Sequence, residues 1–98
     1  MSNGYNGWDN YETWRINLEM LDGMTPEDFG FRRNEFLDED RRDDFTIRLA
    51  DALESHVCEL VEMDAKGFAL DLANSFLARV NWTEIAEHMV DDYCAEFV

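Results

Sequence analysis

The run DDFTIRLADALESHVCELVEM, residues 43–63, decides the fold class. Phe45, Leu49, Ala52, Leu53, His56, Leu60 and Met63 recur at three- and four-residue intervals and share one side of a helical wheel, while Asp44, Asp51 and Glu62 fall opposite. A half-buried strand needs apolar residues at every second position, and no stretch of this chain alternates convincingly in that way. The run therefore predicts an amphipathic helix over 43–63, broken at 64–67.

Working outward from it, residues 68–80 are apolar over more than half a helical circumference through Leu70, Leu72, Ala73, Phe76, Leu77 and Val80. This predicts a further helix, and the most buried one. Asn81-Trp82-Thr83-Glu84 then places Asn at an N-cap with Glu three residues later, a capping-box arrangement. The last helix is expected over 82–97, with Trp82, Ile85, Ala86, Met89, Tyr93 and Phe97 inward and Glu84, Glu87 and Asp91 in an outward acidic line. On the N-terminal side, residues 32–44 are the most polar stretch and read as a loop or as the exposed opening of the following helix. Thr25-Pro26-Glu27-Asp28 starts a short segment with a Thr cap, Pro at the first helical position and acids in the first turn, interrupted by Gly30. Asn10 caps a first helix running to about residue 21, with Trp14, Leu18 and Leu21 on one face, and Gly23 stops it. Before it, Asn3-Gly4-Tyr5 and Asn6-Gly7-Trp8 repeat a turn-forming unit, and Tyr5 and Trp8 are expected to fold back as lids on the core. The expectation is an all-α fold: a single domain, 1–98, forming a small bundle of about four to five helices with a turn-rich aromatic N-terminal segment.

The charge of this chain is extreme. Its 98 residues hold 23 Asp and Glu against 8 Lys and Arg, a net charge of −15, yet 46% are apolar and 13% aromatic. Acidic chains poor in hydrophobics stay disordered, but this one has enough Trp, Phe, Leu and Val to bury a core, so its charge belongs to a folded surface. Over an expected diameter of roughly 34 Å this amounts to one net charge per ~2.3 Å, against one per ~1.7 Å along duplex DNA. Such a surface repels nucleic acid and membranes and attracts basic proteins.

Other functional classes lack their signatures. Cys58 and Cys94 lie in apolar helical patterns without a CxxC, as buried reduced thiols do. The opening residues hold no basic stretch followed by an apolar run, so no signal peptide is expected, and apolar runs of only two or three residues predict no membrane span. Asp38-Glu39-Asp40 resembles the opening of a calcium loop, but Asp43 stands where Gly is required and Leu49 where the closing Glu is required. His56 with Cys58, and His88 with Cys94, are spaced to point to different sides of a helix. No Gly-rich phosphate loop, GxSxG or HExxH occurs, so neither an enzyme nor a cofactor is expected. Arg32-Arg33 and Arg41-Arg42 are the only basic pairs and read as members of local salt bridges, so direct nucleic-acid binding is not expected either.

The segment Tyr5-Asn6-Gly7-Trp8-Asp9-Asn10-Tyr11-Glu12-Thr13-Trp14 resembles the NGW-x-NYETW opening of a group of small phage- and plasmid-encoded proteins. Phe68-Ala69-x-Asp71-Leu72 and Val80-Asn81-Trp82-x-Glu84-Ile85-Ala86-Glu87 are similar to that group's closing segment. The resemblance covers about a third of the chain, at both ends, and residues 22–64 depart from it. It implies a mobile-element context and no catalytic residues. It also implies a structural motif, with Trp8, Tyr11 and Trp14 packing against Trp82 to link the two ends. Mobile-element context with extreme acidity is the setting of anti-restriction and anti-CRISPR proteins, many of which imitate DNA electrostatically.

Two readings of function follow. In the first, the chain is a counter-defence inhibitor in the bacterial host cytoplasm, monomeric or homodimeric. Its partner is a basic nucleic-acid-binding protein of a defence complex, bound through Glu84, Glu87, Asp91, Asp92 and Glu96 on the last helix and Asp38, Glu39, Asp40, Asp44 and Asp51 around the polar stretch. The physical basis is the coulombic contribution that dominates DNA affinity. In the alternative, the chain is a small adaptor or regulator of a host enzyme that uses an apolar patch of Phe29, Phe31 and Phe36, and its acidity serves solubility.

Overall fold

In the computed structural model, which describes residues 7–95, the order of elements is α1 (Tyr11–Ile16), a π turn (Asn17–Leu21), a 3₁₀ turn (Pro26–Phe29), α2 (Arg33–Leu37), α3 (Glu39–Asp64), α4 (Gly67–Leu77) and α5 (Trp82–Ala95). No strand occurs among the described residues, and the fold is all-α as the periodicity requires. Nor is any helix among them long and apolar enough to cross a membrane. Tyr5, Glu96 and Phe97 lie outside the described residues.

The frame is the pairing of α3 with α5. At 26 residues α3 is about 39 Å long and supports the other elements. It begins four residues earlier than the apolar pattern predicts. The Asp38 carboxylate accepts from the Asp40 N–H at 3.0 Å, and Glu39 and Asp40 occupy the first turn, where the helix dipole favours acids. The polar stretch therefore divides into α2 and the opening of α3, with the Glu35 carboxylate accepting from the Arg32 N–H at 2.7 Å at the start of α2.

Leu49, Leu53 and Val57 of α3 meet Ile85, Ala86 and Val90 of α5, with Phe36 from α2 and Leu21 from the π turn completing a core of nearly inaccessible side chains. The buried stripe of α3 is rotated from the predicted one: Thr46, Ala50 and Val57 are inside, while Ala52 and His56 are only half-buried. Burial ends at Val57, which leaves Leu60 39% and Met63 75% exposed on the last turns.

Two further expectations are corrected. The helix expected to be most buried is the most open: within α4 only Leu77 is buried, and Phe68 and Leu72 are 75% and 56% exposed. Because α3 and α5 pair directly, their apolar stripes satisfy each other and no space remains between them for a third helix. In the first helix the buried residues are Thr13, Ile16 and Leu21, while Trp14 is half-buried and Leu18 is 47% exposed. Ile16 and Leu21, five residues apart, would point in different directions on a continuous α-helix. The π turn between them absorbs the extra residue and brings both to the core.

The stops expected at Gly23 and Gly30 are found there. Gly23 and Gly30 both take positive φ, 85° and 88°, which a side chain would oppose. Between them the Thr25 N–H donates to Asp28 at 2.8 Å at the head of the 3₁₀ turn.

Candidate functional site

The two ends of the chain are clasped by polar contacts. The Asn10 side chain accepts from the Thr13 N–H at 2.9 Å, capping α1, and donates to the Arg79 carbonyl at 2.8 Å. The buried Thr13 hydroxyl donates to Asn10 at 2.7 Å and accepts from the Asn81 N–H at 2.8 Å. Arg79 Nε lies 3.2 Å from the Glu12 carboxylate. The NYETW segment is thus part of a structural clasp in which Asn10, Glu12 and Thr13 carry the joints. Aromatic contacts accompany them. Trp8 is half-buried against the core and stacks on His88 with ring centroids 4.3 Å apart, Tyr11 meets Phe76 edge-on, and Trp82 packs against the core.

The clasp alters the acidic row expected on the last helix. The Asn81 side chain caps α5 by accepting from the Glu84 N–H at 3.0 Å. The Glu84 carboxylate, however, accepts from the Asp9 N–H at 2.9 Å, so it serves the clasp and is only half-exposed. Glu87, Asp91 and Asp92 are exposed on α5 as predicted.

Asp91 is drawn toward α3, where Arg42 donates to it at 2.8 Å. This corrects the local pairing expected for Arg41-Arg42: Arg42 bridges two helices, and Arg41 lies over the Phe45 ring at 5.0 Å. The bridge crosses a cleft of about 300 Å³ lined by Arg42, Asp43 and Thr46 of α3 and Glu87, His88, Val90 and Asp91 of α5. Three carboxylates and one guanidinium therefore meet at one place. Sequence reading assigned Asp43 and His88 no role there, because nothing local reveals which turn of α3 faces which turn of α5.

The other predicted acids lie along α3. Asp38 is engaged as its cap, Glu39, Asp40 and Asp51 are exposed, and Asp44 pairs with Arg48 at 3.2 Å one turn away. Asp40, Asp44 and Asp51 follow one side of the helix at axial separations of about 6 and 10 Å. Glu54 and Glu62, also exposed, continue the acidic side toward its C-terminus.

The Phe patch is not a surface. Phe36 is fully buried, its ring 6.2 Å from Phe45 and 6.4 Å from Tyr93, and Phe29 and Phe31 are half-buried against the same core. They close one end of the bundle beside the 3₁₀ turn.

The Tyr93 hydroxyl donates a short hydrogen bond to the Glu27 carboxylate, which together with burial pushes its pKa up to about 12. Cys58 and Cys94 are both free thiols, and the Cys58 thiol is pushed up by burial and then by Glu54 and Glu62. Among the described residues no three His, Cys, Asp or Glu are grouped to hold a metal ion.

No curated protein and no solved structure matches this chain. The pattern of DUF7249, described as a family of unknown function, matches residues 1–96, and the chain belongs to that family.

Proposed function

We propose that the protein is a phage or mobile-element counter-defence inhibitor, of the anti-CRISPR or anti-restriction type. It acts in the bacterial host cytoplasm, where it occupies the basic nucleic-acid groove of a defence nuclease complex. The observation that carries this reading is the exposure of acids along α3 and α5 that the chain cannot neutralise. Even if all 8 cations were paired, 15 of the 23 acids would remain. Glu39, Asp40 and Asp51 along α3, and Glu87 and Asp92 on α5, offer exposed carboxylates from two packed helices beside Asp44 and Asp91, which pair with Arg48 and Arg42. A groove built for phosphates releases the same counterions to carboxylates held at fixed spacing on a rigid body.

The experiment is capture from hosts carrying defence nucleases, followed by titration of the purified complex with duplex DNA. The reading expects DNA and the protein to exclude each other, and affinity to fall at least about a hundredfold between 0.05 and 0.5 M NaCl. Neutralising Asp44, Asp51 and Glu87 together, as Asn, Asn and Gln, should weaken binding while leaving the helical circular dichroism unchanged. A ternary complex with DNA still bound, formed with equal affinity at both salt concentrations, would overturn it.

A further inference from the structure

One ion pair joins the two helices that carry most of the acids. Arg42 Nη2 of α3 donates to Asp91 Oδ1 of α5 at 2.8 Å, across the cleft whose walls also hold Asp43 and Glu87. Neither Asp43 nor Glu87 has an ion pair among the described residues, so three carboxylates stand beside one guanidinium.

The pair is open to solvent and the fold does not depend on it. Its side chains are 35% and 73% exposed, and the contact is a single hydrogen bond. Partly exposed pairs of this kind contribute little, because solvent screens the attraction and two side chains must be immobilised. Beneath it α3 and α5 are held together by Leu49, Leu53, Ile85 and Val90, all nearly inaccessible. The Thr46 hydroxyl donates to the Arg42 carbonyl at 2.7 Å and so engages the backbone of Arg42, not its guanidinium. The walls of the cleft keep their places whether or not the Arg42 side chain spans them.

We propose that Arg42 is an exchangeable counter-ion: an arginine of a basic partner takes its place on Asp91, beside Glu87 and Asp43, and the Arg42 side chain swings out to solvent.

This exchange rests on the reading of the protein as the occupant of a basic groove, and it assigns one contact within that groove. The chemistry of the incoming group is set by the group already seated there. Asp91 holds a guanidinium, that of Arg42, so a partner's arginine brings a head group whose fit the structure displays. The cleft, about 300 Å³, is roughly ten times the ~30 Å³ share of a water molecule and admits such a planar head group. An arginine arriving from outside can meet a carboxylate with two nitrogens at once, the strongest geometry for this pair, whereas Arg42 reaches across from α3 with one. Three carboxylates against one guanidinium also leave a local excess of two negative charges, which attracts a further cation. Arg42 is therefore a competitor built into the chain, and removing it strengthens binding of an arginine-rich partner at this place.

The test uses octa-arginine as the probe, titrated calorimetrically into the full chain at about 0.1 M NaCl. Arg42→Gln should bind it at least about threefold more tightly than the parent. Arg15→Gln makes the same change in net charge and releases Glu19 outside the cleft, so it should gain less than about 1.5-fold. With Asp91→Asn already present, Arg42→Gln should bring no such gain. In the parent, saturating octa-arginine should shift the Arg42 Nε–Hε resonance and the amide of Asp91, a measurement that depends on no variant folding. Equal gains from Arg42→Gln and Arg15→Gln, a gain that survives Asp91→Asn, or an Arg42 resonance unmoved at saturation would overturn the proposal. The competition with duplex DNA in the defence complex is decided separately. If these results hold while DNA stays bound, the exchange stands and the reading of the groove falls.

Discussion

Thr13→Val removes one oxygen from the clasp and keeps the shape of the side chain. Thr13 is fully buried, and its hydroxyl holds two hydrogen bonds, as donor to Asn10 at 2.7 Å and as acceptor from the Asn81 N–H at 2.8 Å. Losing the first costs about 1 kcal/mol, and leaving the second donor unsatisfied costs about 1–3 kcal/mol. Asn81 is only half-buried, so water recovers part of the second cost, and the expected sum is about 2–3 kcal/mol. For a domain of this size that lowers the melting temperature by about 10–20 °C. Thr13→Ser keeps both bonds and loses a methyl group, so it should cost about 1 kcal/mol. The assay is thermal and urea unfolding of the three proteins by circular dichroism, at fixed salt and protein concentration. A Thr13→Val protein that melts within about 3 °C of the parent would refute the assignment of the clasp to this hydroxyl.

Three further outcomes follow from the same structure. Phe36→Ala should cost about 3–5 kcal/mol in urea unfolding of the monomer, whereas Phe68→Ala should stay within about 0.5 kcal/mol, and equal effects would contradict the burial assigned to each. Tyr93 has a folded-state pKa raised to about 12 from the ordinary 10 by its bond to Glu27, so its stabilising contribution is complete below pH 10 and is lost as pH rises toward 12. Unfolding measured over that range should show a decline that Tyr93→Phe largely removes, and identical profiles would count against the bond. A net charge of −15 predicts that the melting temperature rises as NaCl goes from about 0.02 to 0.5 M, and a flat or falling curve would show that self-repulsion is minor.

Local signals in the sequence are legible where the physics is local. Asn10 and Asn81 cap the helices that follow them, and Gly23 and Gly30 mark the turns, because each depends on a few neighbouring backbone groups. The inward side of α5 was legible for Ile85, Ala86, Met89 and Tyr93, all buried. Phase and depth were less legible. Ile16 reaches the core only because the helix widens to a π turn after it, and Val57 is inside because α3 is rotated relative to its apolar pattern. Glu84 looked like one more surface acid, and its use by the Asp9 N–H, 75 residues away in sequence, is visible only in three dimensions.

The sequence by itself determined that this is a helical, strongly acidic chain, where most of its helices begin and end, and that eight cations cannot neutralise its surface. Periodicity, capping and charge counts are properties of neighbouring residues or of totals, and no tertiary contact can revise them. Tertiary structure alone decided which apolar faces find a partner. Phe36 stands in the most polar stretch of the chain and Phe68 in an apolar one, yet Phe36 is sealed in the core and Phe68 stands in solvent. The reason is that α3 and α5 pair with each other and leave α4 outside, a competition among helices for a limited interior. That competition also brings Asp43, Glu87 and Asp91 to one cleft and leaves Phe68 and Leu72 of α4 exposed.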